Sequence, residues 1–111
     1  MRKYAILKKP IGEIKKLMIY DTGSEAYMFL YDSVCEDGKS CSDMWYENID
    51  DAIEASTEYD VSDDEWIIIN DPLPHCQHDI ISPIRVKGRC IGKPQWGTYE
   101  KLINGTWVKF I

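Results

Sequence analysis

The chain has no run of about 18 apolar residues, the length a membrane-spanning helix requires. Its start, from Met1 to Pro10, is basic but holds only three consecutive apolar residues, Ala5, Ile6 and Leu7, too few for the core of a secretory signal. Both absences lead to the expectation of a cytoplasmic chain. No Cys-x2-Cys pair occurs, and the four cysteines are scattered, so in that compartment they read as thiols or metal ligands rather than as disulfides. A phosphate-cradling glycine loop, a nucleophile elbow and a dinucleotide fingerprint are also missing. That removes the enzyme classes built on those motifs and favours a non-catalytic role without excluding catalysis. Basic residues are nearly absent from the middle of the chain. Residues 36 to 65 hold one lysine against twelve acids, whereas residues 1 to 35 carry a net charge of +2 and residues 66 to 111 one of +3. An acidic centre between basic flanks disfavours nucleic acid, which wants a continuous basic surface, and suits a basic partner.

What is present is ordinary globular material in one domain's length. The 111 residues are 44% hydrophobic and 29% charged, enough to bury a core without staples and too apolar for disorder. Thirteen aromatics, four of them Trp and seven Tyr, exceed what a small core needs, so some are expected at the surface for contact.

The first half reads as strands over Lys3–Lys8, Lys16–Tyr20 and Ala26–Tyr31, the last two rich in aromatic and branched residues and separated by a turn at Thr22-Gly23-Ser24-Glu25. The first strand is expected to stop at Pro10 and Gly12. Ala26–Tyr31 is almost wholly apolar, which predicts a central strand covered on both faces. Ser33–Asp43 reads as a polar loop. A helix follows, with Asn48 as N-cap, Asp51 three residues on, and Ile49, Ala52, Ile53 and Ser56 on one face. Glu65–Asn70 predicts a buried strand, ended by Asp71-Pro72-Leu73-Pro74. Ile84–Cys90 alternates, with Ile84, Val86 and Cys90 on one side and Arg85, Lys87 and Arg89 on the other. Asn104-Gly105 is the signature of a type I′ hairpin. Its register pairs Ile103 with Thr106 and Glu100 with Lys109, and gathers Tyr99, Ile103, Val108 and Phe110 on one face. Altogether this is an α+β fold, mainly one antiparallel sheet of about seven short strands with a single amphipathic helix packed on it.

Three candidate sites follow. The acidic helix, with Asp50, Asp51, Glu54 and Glu58 and the nearby Trp45 and Tyr46, predicts a docking face for a basic protein partner, because aromatics set among charges are common at interfaces. Asp71 to Asp79 packs both histidines, one cysteine and two carboxylates into nine residues. A metal reading, zinc being the natural ion, places Cys76, His78 and His75 as ligands, with Asp79 beside them and Cys35, Cys41 or Cys90 as a further soft donor. Against it, the histidines lack the i, i+4 spacing of a helical zinc site, and a turn tying down its own backbone explains the same residues. The basic row Arg85, Lys87 and Arg89, continued by Lys93 near Trp96, would suit an anion or nucleotide, or simply a solvated strand face. Asn104-Gly105-Thr106 matches a glycosylation acceptor, but the hairpin accounts for it.

The combination of Trp66-Ile67, Asp71-Pro72-Leu73-Pro74, Cys76-Gln77-His78-Asp79, Pro83 to Gly88 and Gly92-Lys93-Pro94-Gln95-Trp96 resembles small bacterial proteins of undescribed function. The resemblance implies a stand-alone chain and carries no activity or site with it.

Overall fold

The computed structural model describes residues 1–110. Five strands form the larger antiparallel sheet: β1 (Arg2–Ile11), β2 (Ile14–Asp21), β3 (Ala26–Tyr31), β4 (Ser42–Tyr46) and β5 (Ile67–Ile69), in spatial order β4-β3-β2-β1-β5. The helix α1 (Ile49–Ser56) lies between β4 and β5 in the chain. A second antiparallel sheet joins β6 (Ile84–Val86), β7 (Tyr99–Ile103) and β8 (Thr106–Lys109). The fold is α+β. Among the described residues no helix is long and apolar enough to cross a membrane.

The large sheet is covered on both faces, as the apolar run of β3 predicts. On one face Leu7, Leu17, Ile19, Met28 and Leu30 pack under α1, which contributes Ala52 and the flanks of Ile49 and Ile53. On the other, Met18, Phe29 and Tyr31 pack with Tyr4, Tyr20, Tyr27, Ile69 and Ile81. Leu17, Met18 and Ile19 are all fully buried, so β2 has no solvent face along its middle. Each such side chain contributes roughly 1.5–3 kcal/mol on leaving water. The Asn48 cap forms as expected, its Oδ1 accepting from the Asp51 N–H at 2.9 Å.

Several expectations need correction. The strands form two sheets rather than one, because the segment from Asn70 to Pro83 is irregular and three prolines deny it a ladder. The first strand runs through Pro10 to Ile11. Its pairing with β2 shifts between Ile6 and Ile11, so Pro10 sits in an irregular stretch of the ladder. Strand β4 falls in a stretch that gave no strand signal, since Ser42, Asp43, Met44 and Trp45 are exposed on a sheet edge and carry no alternation. Strand β5 is the opposite edge, not a buried strand, and Ile68 is 74% exposed. The strand expected over Ile84–Cys90 ends at Val86. There the chain turns through Gly88 (φ +79°), where a Cβ would lie 2.2 Å from the Lys93 carbonyl oxygen. Cys90 is consequently exposed instead of continuing the buried row of Ile84 and Val86. The C-terminal hairpin has the expected register, with Asn104 and Gly105 both at positive φ. Its apolar face, however, is half open, with Ile103, Val108 and Phe110 exposed.

Candidate functional site

The segment after β5 is held from beneath. Arg2, only 4% exposed, donates from Nε to the Asn70 carbonyl (2.8 Å) and from Nη1 to those of His78 (3.1 Å) and Ile80 (2.9 Å). Burial lowers the Arg2 pKa from its ordinary value, but a guanidinium stays charged, and three carbonyl dipoles substitute for the lost water. The Tyr31 hydroxyl donates to the Asp79 carbonyl, and burial pushes its pKa upward, so it remains a donor. Ser40 adds two bonds, backbone N–H and Oγ both donating to Asp79 Oδ2 at 2.8 and 2.7 Å. On the same face of the sheet, Lys16 is fully buried. Its Nζ donates to the Cys35 carbonyl at 3.1 Å and lies 4.3 Å from the centre of the Tyr31 ring. Desolvation lowers its pKa. Neither Arg2 nor Lys16 was singled out by sequence, because a charged residue at a strand end reads as solvated.

The metal candidates do not converge. Cys76 is buried, pairs with Arg85 in an isolated bridge, and burial pushes its thiol pKa up, whereas a metal ligand needs the thiolate. His75 and His78 are exposed, and His78 sits edge-on to Tyr20 with ring centroids 5.1 Å apart. Cys35, Cys41 and Cys90 are exposed at separate places. Among the described residues no three His, Cys, Asp or Glu side chains form a metal-holding group. The basic row is likewise divided. The Arg85 guanidinium lies 3.7 Å over the Trp107 ring, with Nε 3.3 Å from Glu100 Oε1, so this cation is engaged inside the fold. Lys87 and Arg89 are exposed, but past the end of β6 they no longer share a strand face with Arg85.

The acidic candidates assemble differently. Asp50, Asp51, Glu54 and Glu58 are all exposed along α1 and the 3-10 turn that extends it. The helix packs on β3, β2 and β4, so these carboxylates lie on its solvent side, and β4 is an edge strand whose outer backbone groups have no further strand to bond among the described residues. Of the twelve acids between residues 36 and 65, only Asp37 and Glu65 form an ion pair among the described residues, with Lys101 and Lys8. The α1 carboxylates have none. Glu54 stands in the last helical turn, which holds no basic residue, where negative charge opposes the helix dipole. Tyr46 and Trp45 separate: Tyr46 packs into the cluster under α1, while Trp45, 55% exposed, stands on the other face opposite Tyr27.

That opposite face holds a feature absent from the sequence reading. Tyr20, Tyr27 and Trp45 are directly cross-strand neighbours on β2, β3 and β4. Glu25 grips two of them, Oε1 accepting from the Tyr27 hydroxyl at 2.7 Å and Oε2 from Trp45 Nε1 at 2.8 Å. The bond from Trp45, then that from Tyr27, holds the Glu25 carboxyl below the usual glutamate range. Finding this row requires the register of β4, and β4 itself was not visible. No family model, curated protein or solved structure matches the chain.

Proposed function

We propose that the protein is a non-catalytic, cytoplasmic interaction module that docks a basic protein partner along the β4–α1 edge, in the manner of an adaptor or a toxin-neutralising immunity protein. The observation that carries this reading is a row of exposed carboxylates without basic partners beside an open strand edge. Arg85 with Glu100 and Lys101 with Asp37 show charges matched within the fold, whereas the α1 carboxylates form no such pair among the described residues. Like charges held together in this way repel, and a basic partner relieves that repulsion while steering its own approach. The open edge adds backbone hydrogen bonds to the charge attraction. Asp50, Asp51, Glu54 and Glu58 supply the charge, while Met44 and Trp45, exposed on the two faces of β4, supply apolar contact.

The test is capture of partners on the immobilised protein, comparing the parent chain with the triple variant Asp50→Lys/Asp51→Lys/Glu54→Lys. The reading expects the parent to retain a partner that raised salt releases and the variant to lose it. Capture indifferent to both charge reversal and salt would remove this function.

A further inference from the structure

On the face of the large sheet opposite α1 lies an open cavity of about 340 Å³. Tyr27 and Phe29, stacked with centroids 6.1 Å apart and planes within 8°, form its aromatic side, and Trp45 continues the aromatic row past Tyr27. Its polar lining comes from three separate places: Asp43 on β4, Gln77, His78 and Asp79 on the clamped segment, and Arg89 after β6. Arg2, Tyr31 and Ser40 fix that segment through its backbone and one carboxylate oxygen, so Asp79 Oδ1 makes no hydrogen bond within the protein among the described residues. Glu25 in turn fixes the Tyr27 and Trp45 rings. The aromatic side and Asp79 are therefore held in place before any ligand arrives, which reduces the ordering that binding requires.

The lining also selects by charge. Asp43 and Asp79, with Glu25 nearby, repel an anion. Arg89 offsets part of that negative charge and adds a donor, so the lining presents acceptors and a donor beside the rings. It matches a ligand that accepts from Arg89 and donates to Asp43 and Asp79 while offering an apolar face to a ring. Vicinal hydroxyls on a pyranose meet both demands, because each hydroxyl donates and accepts and the axial C–H groups of the ring give a flat apolar face. The volume falls in the range of small-ligand sites. The geometry points to a binding site for a neutral saccharide of one or two rings, formed by Tyr27, Phe29, Asp43, Asp79, Gln77 and Arg89, with Trp45 at its margin. It lies on the face of the sheet opposite α1 and shares only strand β4 with the acidic edge.

The test is an amide-resolved NMR titration of the full chain with maltose, cellobiose, lactose and N,N′-diacetylchitobiose at tens of millimolar, with choline and inorganic phosphate as charged controls. Trp45 fluorescence would be followed in parallel. At least one disaccharide is expected to give saturable shifts centred on Tyr27, Asp43 and residues 77 to 79, and to perturb Trp45, while both controls leave these residues unmoved. Asp43→Ala and Arg89→Ala replace exposed side chains, so each should keep the parent melting temperature and bind about tenfold more weakly. Saturation by choline or phosphate in place of the sugars would overturn the proposal. So would shifts centred elsewhere, undiminished affinity in both variants, or no saturable shift with any of the four disaccharides.

Discussion

The two sheets are built on different physics. In the larger one, β2 and β3 are buried on both faces, and stability comes from aliphatic and aromatic side chains withdrawn from water. In the smaller one, only Ile84 and Val86 are buried, and β7 and β8 have no buried residue. Charged side chains laid on rings and in ion pairs add to that sheet: Arg85 over Trp107 and against Glu100 on the neighbouring strand, and Lys101 against Asp37 of the β3–β4 loop and 5.9 Å from the Phe110 ring centre. Arg2 clamps the segment that joins the two. A small chain can thus place most of its apolar burial in one sheet and attach a second through a few buried residues and polar contacts. The deep sheet then serves as a rigid base for both of its outer surfaces.

The largest effect expected from this contrast is at Leu17. Replacing it with alanine opens a cavity in the two-sided core and should destabilise the whole chain by about 2–5 kcal/mol in urea unfolding. A loss below 1 kcal/mol would erase the distinction between the sheets. Next is Arg2→Met, which leaves the carbonyls of Asn70, His78 and Ile80 without their donor. A loss of about 3 kcal/mol is expected, with faster amide exchange over residues 70 to 83. Unchanged exchange there would mean that the segment stands without its clamp.

A smaller effect belongs to Lys101→Met. The ion pair with Lys101, then a bond from Ser82, holds the Asp37 pKa below the ordinary carboxylate value. Its stabilisation is therefore complete above that ordinary value and disappears as pH falls through the lower, folded-state value. Both groups are partly exposed, so the variant should lose under about 1 kcal/mol at neutral pH and show a flatter stability profile in acid. An acid profile identical to that of the parent would show that the pair contributes nothing to holding the second sheet.

Local signals carried much of the fold. The apolar run of β3, the Asn48 cap with its i, i+3, i+4 apolar face, and the Asn104-Gly105 turn each specify their element within a few residues. What was not legible is long-range. Ser42 to Tyr46 becomes a strand only because β3 offers an edge, and Glu65 to Asn70 reads as buried although β5 is an edge. Arg2 and Lys16 are buried by partners 19 to 78 residues away. The same holds for the sites. The exposed carboxylates of α1 follow from helical periodicity alone. The separation of Trp45 from Tyr46, the engagement of Arg85 by Trp107 and Glu100, and the aromatic row under Glu25 all depend on strand register between distant segments.

The central claim is that Glu54 and Glu58 are kept for a partner and not for the fold, whereas Asp50 and Asp51 in the first turn of α1 also suit the helix dipole. Glu54 opposes the helix dipole, and both it and Glu58 lack a basic neighbour. The most direct test is the double variant Glu54→Lys/Glu58→Lys, read by melting temperature and by partner capture on the same preparation. The account predicts a chain more stable by roughly 0.3–1 kcal/mol that has lost its salt-sensitive partner. A chain that melts lower, or that keeps its partner, would contradict it.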